Sequence, residues 1–116
     1  MLEKPAFIQG LFACEGHGLA SPASFDPPVT YDVPADKRSQ VIYFRAGNSS
    51  SEMVYLVLTA GGGPMRYFPV GAKGAVHVPL AVVEDLSPGT RVEILAAAPD
   101  GLKFAVLLDV GLMEID

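Results

Sequence analysis

Apolar residues alternate with other residues along most of this chain, and glycine and proline interrupt the alternation at short intervals. Successive side chains of a β-strand point to opposite faces of a sheet, whereas an amphipathic helix repeats its apolar positions at a spacing of about 3.6 residues. The 12 glycines and 10 prolines are turn formers that separate short strands. The pattern therefore predicts an all-β chain with almost no helix, at most a single helical turn in Leu80–Leu86.

Eight segments carry the alternation. The predicted strands are Ala6–Cys14, Val29–Val33, Gln40–Ala46, Met53–Ala60, Met65–Val70, Ala75–Pro79, Thr90–Ala98 and Lys103–Ile115. Seven to eight short strands separated by glycine and proline turns indicate an antiparallel β-sandwich, either immunoglobulin/fibronectin-III-like or jelly-roll-like. The length of 116 residues predicts a single domain over 1–116, because a chain this short has room for one core. A mobile loop is expected around 15–28, where glycine, alanine, serine and proline cluster.

One stretch, Asp85–Glu93, resembles the corner of fibronectin type III domains. A leucine, a Pro-Gly turn and a threonine lead into a strand there, and this chain has Leu86, Pro88-Gly89 and Thr90 in that order. Val92 stands where that family typically has a tyrosine. The resemblance implies a sandwich in which this turn enters a strand.

The composition excludes several classes of protein. Half of the residues are hydrophobic and 18% are charged, which is incompatible with intrinsic disorder. A formal charge of −5 disfavours nucleic acid, and one cysteine cannot form a disulfide within the chain. The apolar runs are too short for membrane insertion, and Met1–Pro5 lacks the pattern of a signal peptide. We therefore expect a soluble, acidic, cytoplasmic protein.

Two predicted strands are apolar on both faces, in Met53–Leu58 and Phe104–Val110. A strand in a simple sandwich has only one face toward the core, so its other face is expected to be polar. The apolar residues on the second faces would leave a large apolar surface in water. The sequence therefore predicts a homo-oligomer with an interface that includes Tyr55, Val57, Leu107 and Met113.

Charged residues within the apolar strands allow two interpretations. Arg45 and Arg66 lie in predicted strands, and burying their charge is costly unless each is paired. In one interpretation, Asp109 or Glu93 pairs with them across neighbouring strands. In the other, an exposed surface contacts another protein or an anionic group, and its residues are Arg45, Arg66, Tyr67 and His77.

Motifs for catalysis or cofactor binding are not found in the sequence. It contains no G-x-S-x-G, H-E-x-x-H or P-loop pattern, so we assign no catalytic residue and expect no cofactor. Cys14 and His17 have a spacing that suits zinc, but His77 is the only other histidine. A structural zinc site needs four ligands, so we assign no metal site. A metalloenzyme that uses these three residues is the third and weakest hypothesis.

These observations favour a non-catalytic, oligomer-forming interaction, adaptor or assembly module, an accessory protein whose partners are itself and a further protein. The alternative is a small-ligand-binding module for a carbohydrate or an anion. Its site would use loops at one end of the sandwich, with His17, Gly61–Pro64 and Lys73.

Overall fold

The computed structural model describes residues 3–80 and 84–116, and in these ranges the chain is an eight-stranded antiparallel β-sandwich without a helix. The strands are β1 (Glu3–Glu15), β2 (Ala23–Asp32), β3 (Arg38–Asn48), β4 (Val54–Ala60), β5 (Gly63–Val70), β6 (Ala75–Pro79), β7 (Arg91–Ala97) and β8 (Lys103–Ile115). The expected helical turn falls partly on residues 81–83, which lie outside the described residues. Within the described ranges, no helix is long and apolar enough to cross a membrane.

The strands follow one another in the order β5-β4-β7-β2-β1-β8-β3-β6. The contact between β2 and β1 is a single residue pair, Ala13 with Asp26. This narrow junction divides the strands into two sheets. We call β1, β8, β3 and β6 the front sheet, and β5, β4, β7 and β2 the back sheet.

The core lies between the two sheets and follows from the alternation. In β8, the side chains of Val106, Leu108 and Val110 are buried, whereas the residues between them face away from the core. Phe44 of the front sheet stacks on Phe68 of the back sheet, with ring centroids 3.9 Å apart and planes 2° from parallel. Burial of these apolar side chains is the main force that holds the sheets together.

A buried polar cluster also joins the sheets. The Tyr31 hydroxyl of β2 donates to Glu114 Oε2 at 2.5 Å and lies 2.8 Å from the hydroxyl of Ser39. Burial and the carboxylate of Glu114 raise the pKa of Tyr31 to about 12. The cluster satisfies three polar groups that would otherwise be costly to remove from water.

The alternating strand directions place the loops at two opposite ends. Residues 16–22, 49–53, 71–74 and 98–102 form the upper end, and residues 33–37, 61–62 and 84–90 belong to the lower end. At the upper end, the Asn48 amide donates to the carbonyls of Glu52 and Gly71, at 2.9 and 3.1 Å. This one side chain therefore holds two loops together.

The irregular segment before β2 is shorter than predicted. It covers residues 16–22, because β2 begins at Ala23 and absorbs the prolines in a register shift between Ser24 and Val29. Backbone bonds from Gly16 N to Leu102 O and from Gly18 N to Ala98 O attach the segment to the neighbouring loop. The mobility expected for 15–28 stays a prediction.

The turn before β7 has the Pro-Gly geometry expected from the corner resemblance. Gly89 has φ of 79°, and Thr90 N donates to Ser87 O at 3.1 Å. Val92, at the position of the family's tyrosine, is fully buried in the core. The start of β7 is therefore held at this corner by the apolar packing of Val92.

Candidate functional site

The outer face of the front sheet, which points away from the core, arranges its side chains in rungs that cross the strands. The register places Gln9 beside Asp109, Asp109 beside Arg45, and Arg45 beside His77. We call these four residues the polar rung. Each comes from a different strand, so the polar rung crosses the whole sheet.

Asp109 is the centre of the polar rung. Its Oδ1 accepts hydrogen bonds from Gln9 Nε2 at 3.0 Å and from the Tyr43 hydroxyl at 2.8 Å, and its Oδ2 lies 3.3 Å from Arg45 Nη1. Hydrogen bonds from Gln9 and Tyr43 lower the pKa of Asp109, and Arg45 adds to this. An exposed ion pair adds little stability. The effect of this network is to fix the orientation of three polar side chains around one carboxylate.

Tyr43 lies flat against β8 because its cross-strand neighbour is a glycine. A Cβ added to Gly111 would lie 2.1 Å from Tyr43 Cε2, so no larger residue fits beneath the ring in this position. The Arg45 guanidinium carbon is 5.7 Å from the centre of the Tyr43 ring, within range of a cation–π interaction. The His77 ring meets the same ring edge-on at 6.2 Å.

A groove of about 410 Å³ is open on this face. Its lining combines polar ends of side chains with small or apolar residues: Arg45, Ala46, Gly47, Ala75, Val76, His77, Leu107 and Asp109. Leu107 is 59% exposed at its margin, and its cross-strand neighbour Leu11 is 69% exposed. Apolar surface with a few fixed polar groups is the usual chemistry of a small-ligand site.

Three of the residues singled out from the sequence meet at this groove. They are Arg45, His77 and Leu107. Met113 is on the same outer face, half-buried and further along β8, and does not line the groove. The structure thus joins residues predicted for two separate surfaces into one.

The other four, Tyr55, Val57, Arg66 and Tyr67, lie on β4 and β5 of the back sheet. Val57 is 2% exposed in the single chain, between its cross-strand neighbours Leu95 and Tyr67. The expectation that its side chain is exposed on the single chain and available for an interface is therefore wrong, because Val57 is buried on this sheet.

Tyr55 is half-buried, and its hydroxyl donates to the carbonyl of Leu19 at 2.6 Å. Tyr67 is 60% exposed, with its ring 6.2 Å from that of Tyr55. The segment before β2 therefore covers part of this face, whereas Tyr67 stays exposed.

Both arginines have acidic partners, as the first interpretation of the charged residues predicted. The partner of Arg45 is Asp109, one of the two carboxylates expected. Arg66 instead pairs with Glu84, at 2.6 Å, while Glu93 accepts a hydrogen bond from Ser24. That each arginine has an acidic partner was predictable from the cost of an unpaired charge. Which carboxylate becomes the partner depends on the order of the strands in the sheet.

The alternative site proposed from the loops is divided by the fold. His17 and Lys73 belong to loops at the upper end, whereas Gly61–Pro64 turns at the lower end. The molecule is 45 Å long, so these residues do not form one site.

Metal binding by Cys14, His17 and His77 also finds no support. Cys14 is buried, and this burial raises the pKa of its thiol. In residues 3–80 and 84–116, no three histidine, cysteine, aspartate or glutamate side chains come together in a way that could hold a metal ion.

Sequence reasoning overlooked Gln9 and Gly111. Gln9 is the one polar residue in the apolar run of β1, and Gly111 interrupts the apolar run of β8. Both interruptions can be read in the sequence. The role of each residue, however, depends on which strands lie beside it.

The fold is that of jelly-roll β-sandwich modules. No protein-family model and no curated protein matches the sequence. Among solved structures, the chain is similar to the CBM36-1 domain of a multidomain xylanase from the hindgut metagenome of Trinervitermes trinervoides. The TM-score is 0.59 at 12% identity, and the match covers 95% of this chain and 96% of that domain.

Two further carbohydrate-binding modules have the same fold. One is a CBM36 module in complex with calcium and xylotriose, with a TM-score of 0.55, 15% identity, and coverage of 97% of this chain and 99% of that one. The other is a family 35 module from Clostridium thermocellum, with a TM-score of 0.53, 17% identity, and coverage of 94% and 97%. At these identities the likeness establishes the fold, and the site must be argued from the residues of this chain.

Proposed function

We propose that this chain is a non-catalytic carbohydrate-binding module whose ligand occupies the groove on the outer face of the front sheet. The observation that carries the proposal is the polar rung beside an open groove, in which Asp109 holds Gln9 and Arg45 in place. The likeness to carbohydrate-binding modules over nearly the whole of both chains supports the same class.

The chemistry of the groove suits a saccharide. Sugar hydroxyls both donate and accept hydrogen bonds, and Arg45 offers donors while Asp109 offers acceptors. The carbon-bound hydrogens of a sugar ring need apolar contact, which Leu107 and the small residues of the groove provide. Because the network around Asp109 already orients these side chains, binding costs little additional side-chain entropy.

A hydrolytic function is not supported at this groove. Most glycosidases use two carboxylates that flank the scissile bond. Among the described residues that line the groove, Asp109 is the only carboxylate, and three side chains already bond to it. Binding without catalysis is the function that this arrangement serves.

Calcium, which accompanies the ligand in one structural neighbour, has no fitting set of side chains here. Calcium takes six to eight oxygen ligands, usually with several carboxylates among them. The described part of the chain has no group of three acidic, histidine or cysteine side chains that could hold a metal ion. The proposed site therefore uses protein groups alone.

The proposal is tested by isothermal titration calorimetry and by affinity electrophoresis in gels that contain soluble xylan, β-glucan, mannan or galactan. We expect binding to at least one polysaccharide, and at least a tenfold loss of affinity in Arg45→Ala. The matched control is Arg91→Ala, which removes an exposed arginine paired with Asp32 on the back sheet. Equal binding by Arg45→Ala and the wild type, or no binding to any saccharide, would refute the proposed function.

Self-association is a second candidate, favoured by the exposed neighbours Leu11 and Leu107. A dimer formed through this face would cover the groove, so the two functions compete for one surface. Light scattering coupled to size exclusion separates them. A stable dimer that Leu107→Asp converts to a monomer, without any saccharide binding, would favour assembly.

A further inference from the structure

Building on the proposed function, we propose that the ligand is an uncharged, linear carbohydrate chain that lies across the strands of the front sheet, from Gln9 toward His77. Three properties of the outer face support this orientation and this ligand: the direction of its polar groups, the apolar rungs beside them, and the balance of its charges.

The polar groups continue across the sheet and not along it. Neighbouring strands are about 4.8 Å apart, so the polar rung spans about 14 Å from β1 to β6. Along β8, the outward neighbours of Asp109 are Leu107 and Gly111, neither of which has a polar side chain. A ligand that ran along β8 would find one carboxylate, whereas a ligand across the sheet finds four hydrogen-bonding side chains.

Apolar rungs lie on both sides of the polar rung. On the side of the upper end, the register gives Leu11, Leu107, Gly47 and Ala75. On the other side it gives Phe7, Gly111, Tyr43 and Pro79. Gly47 and Ala75 are small, which leaves room for the groove above β3 and β6. A chain of sugar rings laid across the strands would keep its hydroxyls on the polar rung and its ring edges on the apolar rungs.

The charges of the site balance, although the chain has a formal charge of −5. Arg45 and Asp109 form an ion pair at 3.3 Å. The formal charges of Arg45 and Asp109 therefore cancel within the polar rung. Among the described residues that line the groove, the one arginine or lysine is Arg45, which already pairs with Asp109, whereas the hydroxyls of a neutral sugar need no cation. Because no net charge is involved, we expect the affinity to change little with ionic strength.

The experiment uses titration calorimetry to measure how the binding affinity depends on the length, the charge and the direction of the ligand. The probes are neutral xylo- and cello-oligosaccharides from monosaccharide to hexasaccharide, and oligogalacturonides as acidic probes, each at low and at high salt. We expect affinity to rise with length until the chain spans the polar rung, with little effect of salt. The acidic probes should bind more weakly than neutral ones.

The variants test the direction. Gln9→Ala and His77→Ala remove the two ends of the polar rung, and each should lower the affinity for the hexasaccharide about fivefold, the effect of one hydrogen bond. They should leave the monosaccharide unaffected. Met113→Ala, further along β8, is the matched control and should bind as the wild type does.

Several outcomes would overturn the inference. The first is an affinity that does not depend on ligand length, and the second is a loss of affinity in Met113→Ala but not in Gln9→Ala or His77→Ala. The third is an equal loss of affinity for the monosaccharide and the hexasaccharide in the two end variants. The fourth is binding of oligogalacturonides that is tighter than that of neutral probes and sensitive to salt. In these cases the proposed function still stands if Arg45→Ala lowers the affinity at least tenfold. If no saccharide binds at all, it is the proposed function that fails.

Discussion

Replacing Gly111 by alanine tests how the binding face is organised. The new Cβ would lie 2.1, 2.6 and 2.7 Å from three atoms of the Tyr43 ring. Real Cβ atoms do not approach other heavy atoms closer than 3.0 Å. The ring must therefore move away from β8, and its hydroxyl leaves Asp109.

The size of the effect follows from the contacts that are lost. The hydrogen bond from Tyr43 to Asp109 is only partly buried, so its loss costs about 1 kcal/mol, and the loss of the ring contacts with Arg45 and His77 costs about 0.5 kcal/mol each. Alanine in a strand recovers about 0.5–1 kcal/mol relative to glycine. The net destabilisation expected for Gly111→Ala is about 1 kcal/mol, and ligand affinity should fall about tenfold because Asp109 and Arg45 lose their alignment.

The assay is a double-mutant cycle of Gly111→Ala with Tyr43→Ala, measured by urea unfolding. Without the tyrosine ring there is nothing to displace, so Gly111→Ala should then stabilise the protein by about 0.5 kcal/mol. The change of sign is the diagnostic result. An equal destabilisation in both backgrounds would contradict this prediction, because it would show that Gly111 is needed for a reason other than Tyr43.

Three further predictions concern the framework. Because the folded-state pKa of Tyr31 is about 12 against an ordinary 10.0, the unfolded chain ionises first, and stability that is intact below pH 10.0 is lost as the pH rises toward 12. Allowing for partial solvent access, this loss of stability is about 1 kcal/mol. Urea unfolding of Tyr31→Phe between pH 10 and 12 should not show this loss. A variant that loses as much stability as the wild type over this pH range would contradict the assignment. Asn48→Ala should cost about 2 kcal/mol and speed hydrogen exchange at Ser50 N, which donates to Asn48 Oδ1 at 2.9 Å; unaltered exchange there would argue against the role of Asn48. Phe44→Ala removes a stacked core ring and should cost about 3–5 kcal/mol in thermal or urea unfolding, whereas a loss below 1 kcal/mol would contradict the packing.

Much of the fold was predictable from the sequence, since strand periodicity and turn residues act locally. The predicted bounds of β6 and β8 agree with the structure, and β4 differs by one residue. The start of β2 was missed, because Asp26-Pro27-Pro28 is typical of a loop and is accommodated here by a register shift within a strand. The sandwich prediction is confirmed, and the structural neighbours place it with jelly rolls.

The site was only partly predictable. Alternation placed Arg45, Asp109 and His77 on strand faces, and the cost of an unpaired charge predicted a partner for Arg45. The partner is 64 residues away in the chain, and no local pattern determines which strands become neighbours. The polar rung exists only because the fold places β1, β8, β3 and β6 side by side.

Val57 and Leu107 show the limit most clearly. In the sequence both are apolar residues on the second face of an apolar strand, and both were expected at an interface. The structure buries Val57 and leaves Leu107 59% exposed. The face that a side chain takes follows from the periodicity of its own strand and can therefore be predicted from local sequence. What covers that face depends on the tertiary fold, because the covering side chains come from strands that are distant in the chain.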